Sequence, residues 1–419
     1  MAPPDAKAFT RRTRLSAPAL PPQILSESQS HSPTIFTMKN PTRRTLLLLL
    51  PLLLALTGCA PKHAGDSDEI LIGEISSLTG KEGAFGQGAH RGIVLALETA
   101  NARGGVLGRP LRLISEDNQS KAGESATAAR KLISRNKVVA ILGEVVSSRS
   151  LEIASIAQLT KTPMISPAST AESVTQAGDY VFRVCFLDSF QGTVMAKFAR
   201  ESLGLQRVAI LSSVSSAYSV GLAKHFKDTF LAEGGTIAAE QRFAEGDKDF
   251  KAQLTAIKAS GADAIYVPAY YTETALISKQ ARELGITVPL MGGDGWGEPE
   301  LIEIGGDAVE GIYYSTHYSP DNQAPQVVEF VKNYRARWDG ETPGAFAALG
   351  YDAALLLINA LERAGTTDPA ALRDALASTR DLPGVTGRTD IDENRNASKA
   401  ATIMTVRCGQ FIYVSEVAP

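Results

Sequence analysis

The sequence predicts an α/β protein of two similarly built lobes, each doubly wound about a parallel sheet. Short apolar runs alternate with stretches whose apolar residues recur at helical spacing, and after residue 180 the alternation starts afresh. Continuous apolar strands separated by helices belong to parallel sheets covered on both faces, because a strand buried on both sides has no polar side to show. The length agrees: 419 residues, 44% hydrophobic and 21% charged, can bury large cores and exceed what a single core serves.

The amino terminus lacks this pattern. Residues 1–37 are rich in Pro and Ser, include the basic cluster Arg11, Arg12 and Arg14, and read as a disordered or untranslated extension. From Met38, "MKNPTRRTLLLLLPLLLALTGC" sets Lys39, Arg43 and Arg44 ahead of an apolar stretch from Leu46 to Leu56, broken only by Pro51, with small residues before Cys59. Residues 38–58 are therefore expected to be a signal peptide, too short for a comfortable membrane span, and 59–68 a polar linker.

From Glu69 the elements follow in order. The strands "ILIGEI", "PLRLIS", "VVAILG" and "TPMIS" are separated by helices such as Gly88–Arg103 and Lys121–Asn136. After "YVFRVCFLDSFQG" come "RVAILSS", "TIAAEQRF", "AIYVPAY" and "PLMGGDG", with helices at Ser219–Glu233 and Thr272–Leu284. Further helices are expected at Pro325–Trp338, Ala345–Ala364 and Pro369–Ser378, and a strand pair, Ala401–Val406 and Phe411–Val414, closes the chain.

Charge and cysteine content narrow the function. Loss of residues 1–58 removes seven basic and two acidic side chains, leaving 35 basic against 43 acidic and a net charge of −8. No basic face for nucleic acid is expected. Cys185 and Cys408 lie far apart in sequence; they could pair in an oxidising compartment, but isolated cysteines in apolar strands read as buried thiols. No metal-ligand spacing appears.

Doubly wound sheets bind ligands at the carboxyl ends of their strands, and four strand ends carry polar groups. "LGEVVSS" places Ser147 and Ser148 at a helix start, and "ISPASTAES" presents Ser166, Ser169 and Thr170. In the second lobe "VPAYYTE" supplies Tyr270 and Tyr271, and "MGGDGWGE" supplies Asp294 and Trp296. Singly, each has a plain structural reading: the hydroxyls as helix caps, Asp294 as a turn former, the aromatics as core. Together, a helix start with hydroxyls suits a carboxylate and an aspartate on the opposing lobe suits an ammonium group, so the pair describes a receptor for a zwitterion.

Catalysis is not expected. There is no G-x-S-x-G elbow, and His90, His225 and His317 sit without a signature and read as solvated or core histidines. "GAFGQGAHRG" lacks Rossmann spacing, and no Walker lysine occurs. No cofactor is expected.

At these residues the chain resembles the periplasmic leucine/isoleucine/valine-binding proteins, type I periplasmic binding proteins that serve ABC transporters. The resemblance runs from about Glu69 to the end, through "IGEISSLTGKEGAFGQGAHRG", "ILGEVVSS", "PMISPASTAESVT", "FRVCFLDSFQG", "AYSVGLAKHF", "GDKDFKAQL", "MGGDGWGEPEL" and "GAFAALGYDAALLL". It implies two lobes joined by three crossovers, near Leu187–Ser189, Thr316–Ser319 and Asp390–Asn394. One lobe would comprise residues 69–187 and 317–390, the other 188–316 and 391–419. It further implies that Ser147 and Thr170 hold a ligand carboxylate, with the Val145 and Ala168 carbonyls near the ammonium. Asp294 falls where an acidic residue pairs with that ammonium and Tyr270 where its aromatic neighbour stands; Phe85, Tyr218, Trp296 and Phe346 fall where the ligand side chain is enclosed. Asp294 is a methylene shorter than the family's glutamate, and Phe85 lacks a tyrosine hydroxyl, so leucine specificity does not follow. Gln119 and Val146 replace cysteines that form a disulfide in some relatives, and Arg149 is placed to reach a second acidic group on a ligand.

"LTGC" resembles a bacterial lipobox, which implies lipidation of Cys59. The expectation is a monomeric, extracytoplasmic, membrane-tethered receptor that closes on an aliphatic or branched-chain amino acid, or a related amide, and delivers it to an ABC permease. The alternative is an envelope lipoprotein of the same fold acting as a sensor or partner-binding module without transport; a hydrolase using Ser147 is a weaker third.

Overall fold

The structure, a computed structural model, describes residues 69–419; the expected signal peptide, Cys59 and the linker lie outside the described residues. The first sheet is built from β1 (Ile70–Ser76), β2 (Leu111–Asp117), β3 (Ile141–Gly143), β4 (Met164–Ser166) and β5 (Val181–Arg183), all parallel, in the order β2-β1-β3-β4-β5. Between them run α1 (Gly83–Ala102), α2 (Glu124–Lys131, continued by a π turn over Leu132–Asn136), α3 (Ser147–Thr160) and α4 (Ser173–Gln176). The central strands β3 and β4 are buried throughout, whereas the edge strand β2 is half exposed.

The chain then enters a second sheet. α5 (Asp188–Lys197) packs on α6 (Ala217–Ala232), and β6 (Arg207–Ser213), β7 (Thr236–Phe243), β8 (Ala264–Tyr266), β9 (Leu290–Gly292) and β10 (Tyr313–Thr316) pair in parallel, with α7 (Lys251–Ser260), α8 (Tyr271–Glu283) and α9 (Pro299–Gly305) between them. It returns to the first layer for α10 (Pro325–Arg337), α11 (Ala345–Ala364), α12 (Pro369–Ala377) and the small hairpin of β11 (Leu382–Gly384) and β12 (Gly387–Thr389). Finally β13 (Ala401–Arg407) and β14 (Gln410–Val417) add antiparallel strands beside β10, giving the order β14-β13-β10-β9-β8-β6-β7. The chain thus forms two lobes and passes between them three times: after β5, after β10 and after β12.

The return segment is held by α11 against α1, where small residues let the backbones touch. A methyl group on Gly92 would stand 1.9 Å from the Ala347 carbonyl oxygen, and one on Gly350 would stand 2.2 Å from that of Ala89. No side chain fits at either position, so the glycines set the interhelical distance. α11 has the length and apolarity of a membrane span, but 78% of its 18-residue apolar window is buried in the protein and it is a core helix.

Cys185 and Cys408 do not pair. Cys185 is buried with its thiol donating to the Ser169 carbonyl at 3.3 Å, and burial pushes its pKa up to about 12. Cys408, expected in a strand and buried, instead occupies the exposed β13–β14 turn at a φ of 51°.

Candidate functional site

The first lobe offers the loops after β3 and β4. The serines of "EVVSSRS" are not helix caps: the residue before α3 is Val146, which makes no side-chain cap bond. The hydroxyls instead tie loops together. Ser147 Oγ accepts from the Ala171 amide at 3.3 Å, and Ser148 Oγ accepts from the Ala217 amide at 3.1 Å, reaching into the second lobe. Ser150 and Ser166 donate to the Glu144 carbonyl at 2.8 and 2.7 Å, and Ser169 donates to the Val145 carbonyl at 2.9 Å. These loops leave the sheet and lose its ladder partners, so buried hydroxyls satisfy their peptide groups instead. Glu144, fully buried, accepts from the Ser77 amide and hydroxyl and from Asn118; burial pushes its carboxyl up, against the pull of Arg149 and these donors.

The second lobe offers the loops after β8, β9 and β10. Asp294 opens a 3-10 turn directly after β9 and is 4% exposed. Its Oδ1 accepts from Gln191 Nε2 at 3.1 Å, and its Oδ2 lies 2.9 Å from His317 Nε2. Gln191 Nε2 also donates to Asp188 Oδ1 at 3.0 Å, and the Asp188 amide donates to the Thr170 carbonyl at 3.0 Å. A hydrogen-bonded path therefore links Asp294 of one lobe to Thr170 of the other. Burial holds the Asp188 carboxyl well above its ordinary pKa.

All ten predicted ligand residues are buried, and four of the aromatics pack together beside the turn that carries Asp294. Phe85 meets Phe346 at 4.4 Å between ring centroids and Tyr270 at 5.6 Å, edge to face; Tyr218 stacks on Tyr270 at 5.1 Å. The Gly295 amide, beside Asp294, donates to the Tyr218 hydroxyl at 3.3 Å. Burial pushes both Tyr218 and Tyr270 well above the usual phenol pKa, so their hydroxyls keep their protons. Trp296 stands apart: its ring lies over Gly292 of β9, where a methyl would be 2.2 Å away, and tilts towards Tyr314. Ala168 and Val145 line the loops already described.

Around this centre the lobes meet through charge. Lys81 Nζ stands 3.0 Å from Glu82 in its own lobe and 3.6 and 3.8 Å from Glu245 and Glu273 across the junction. Burial opposes its charge, but the three carboxylates outweigh burial and raise its pKa. Thr272 donates to the Lys81 carbonyl at 3.2 Å. Arg149 is buried and gives Nη2 to Glu82 at 3.1 Å and to the Ser120 carbonyl at 2.8 Å, so its charge has a carboxylate partner inside the protein. Sequence reasoning missed Gln191, His317 and Asp188. Asp188 and His317 stand just beyond strand ends, β5 and β10, where the rule used for the other loops also applied; Gln191 follows one helical turn after Asp188.

Aromatic side chains of both lobes, hydroxyl-bearing loops of the first and the held Asp294 carboxylate of the second meet at one lobe junction, an arrangement that fits a two-lobed solute-binding protein. The chain belongs to the periplasmic binding protein family, whose model matches residues 69–410, and it is a solute-binding protein, not an enzyme. It is 31% identical over 355 residues to the Leu/Ile/Val-binding protein BraC3 of Rhizobium johnstonii, covering 83% of this chain and 94% of that one. Among solved structures it is similar to the leucine-binding protein LivK of Thermotoga maritima, with 43% identity, a TM-score of 0.81, and 84% and 99% of the two chains covered. It is also similar to the branched-chain amino acid transporter substrate-binding protein LivJ of Streptococcus pneumoniae in complex with isoleucine, with 34% identity, a TM-score of 0.79, and 84% and 100% covered.

Proposed function

We propose that the protein is the extracytoplasmic receptor of an ABC transporter and closes on an aliphatic amino acid, which it delivers to a permease. The observation that carries this reading is Asp294, a buried carboxylate on the second lobe tied by hydrogen bonds to the first lobe's Thr170 loop. In this reading Ser147 and Thr170 take the ligand carboxylate, Asp294 takes the ammonium with the Val145 and Ala168 carbonyls beside it, and Phe85, Tyr218, Tyr270 and Phe346 enclose the side chain. Trp296 supports the turn that carries Asp294. The relatives named for leucine, isoleucine and valine support the ligand class. The lobes, residues 69–187 with 317–390 and 188–316 with 391–419, move as units about the three crossovers. Lipid on Cys59 tethers the receptor to a bacterial membrane.

Moving a zwitterion out of water costs several kcal/mol unless each charge meets a partner, and the two loops supply one for each. Calorimetry of Asp294→Ala with L-leucine tests the reading: affinity should fall by about tenfold or more, and unchanged affinity would remove the assignment. A wild-type protein that binds no small solute would favour the partner-binding alternative.

A further inference from the structure

Two side chains outside the expected set hold Asp294 in place, and both belong to segments where the chain crosses between lobes. Gln191 lies in the first turn of α5, just after the first crossing, and is fully buried. Its carbonyl oxygen accepts from the Asp294 amide at 3.3 Å and the Ser315 hydroxyl at 3.0 Å, while its NH2 donates to Asp188 and to Asp294 Oδ1. That pattern fixes the amide: turned over, it would set an oxygen against two carboxyl groups and an N–H against an N–H. His317, one residue past β10 at the second crossing, approaches Asp294 Oδ2 with Nε2 at 2.9 Å, and its ring stacks on Phe186 with centroids 3.7 Å apart. Its Nδ1 is buried without a partner among the described residues, so the proton belongs on Nε2, where it meets the carboxylate.

We propose that His317 and Gln191 are positioning residues for the ligand's amine, gripping the Asp294 carboxylate from two sides so that its free lone pairs face an ammonium group at the lobe junction. The inference rests on Asp294 being the ammonium partner. Each carboxylate oxygen accepts one bond from the protein and keeps acceptor capacity for a cation. Because the two donors sit at two crossings, opening of the lobes disturbs the aim of the carboxylate, and amine recognition is coupled to closure. A carboxylate free to rotate would lose part of its binding to reorganisation on every encounter.

The test is calorimetry at neutral pH with L-leucine and, separately, L-alanine, on wild type, His317→Phe, His317→Gln, Asp294→Asn and the double variant Asp294→Asn/His317→Phe, with thermal melting of each. Phenylalanine keeps the stack on Phe186 and loses the donor; glutamine keeps a donor at the same reach and loses the stack. Positioning predicts about tenfold weaker binding for His317→Phe, recovery to within about threefold by His317→Gln, and no further loss in the double variant beyond Asp294→Asn alone. A packing role predicts the reverse order of the two His317 variants, and that order, or additive losses in the double variant, overturns the inference while leaving the solute reading intact. If Asp294→Asn binds like wild type, or wild type binds neither amino acid, the assignment of Asp294 falls and the inference with it. Should His317→Phe fail to fold, Gln191→Met carries the same prediction from the other side of the carboxylate, and wild-type affinity in that variant overturns it.

Discussion

A buried hydroxyl or carboxylate in this protein is placed by what its neighbours leave unsatisfied. Among the described residues Ser147 Oγ accepts from the Ala171 amide and has no acceptor for its proton, which in the proposed reading goes to the ligand carboxylate. Ser147→Ala should weaken amino acid binding by roughly tenfold or more, since hydrogen bonds to charged groups contribute about 1.5–3 kcal/mol; calorimetry reads this directly. His90 shows a second consequence. Its Nδ1 lies 2.7 Å from the fully buried Glu74 carboxylate, and that hydrogen bond raises its pKa above the ordinary 6.5. A raised folded-state value means that protonated His90 stabilises the fold at pH below 6.5, and that the contribution is lost as pH rises through the higher folded value. The melting temperature of wild type should therefore exceed that of His90→Gln most in mild acid, and the gap should narrow towards alkaline pH; a gap independent of pH would refute the pairing. The sequence marks such residues unevenly. Ser147 and Asp294 stand out because they follow apolar runs, whereas the roles of His317 and Gln191 depend on Asp294, over a hundred residues from Gln191, and a linear reading has no access to that distance.

At the scale of elements, period and boundary signals serve well where a helix is long and amphipathic. Ala345–Ala364 matches its expected span, and Pro325 opens α10 as its fixed φ allows. The first helix begins at Gly83, five residues earlier than expected, because its opening turn, rich in glycine, is stabilised by packing against the Ser77 backbone and not by its own propensity. "VVAILG" and "TPMIS" read as longer strands than the three residues each that enter the ladder, since pairing lasts only as far as the neighbouring strands run alongside. The serines after Gly143 read as caps, a local motif, and turned out to be braces between loops. The close α1–α11 contact gives a prediction at this scale. Gly350→Val should lower stability by at least about 1–3 kcal/mol, read in denaturant melts, because the added methyls meet the Ala89 backbone, which cannot move aside as a flexible side chain could.

The whole molecule is a pair of lobes whose junction carries both the aromatic walls and the charges around Lys81. Lys81 joins Glu82 of its own lobe to Glu245 and Glu273 of the other, and its raised pKa means that the charged lysine stabilises the fold. Lys81→Met should therefore lower the melting temperature of the ligand-free protein and also weaken ligand binding by a few fold, read by thermal melts and calorimetry. Ligand should raise the melting temperature of the wild type, because it binds only the folded form. The sequence by itself determined the two-lobe α/β architecture and the strand ends worth searching, because apolar periodicity and strand-end chemistry are local and survive in one dimension; Phe85, Tyr218 and Phe346 emerge only through the family resemblance. Only the tertiary structure decided that Cys185 and Cys408 stay apart, that Trp296 turns away to cover β9, that Arg149 is met by Glu82, and that Asp294 is held by His317 and Gln191. Each of those outcomes depends on which buried polar or bulky group finds a partner across the fold, and that distance is set by packing between segments far apart along the chain.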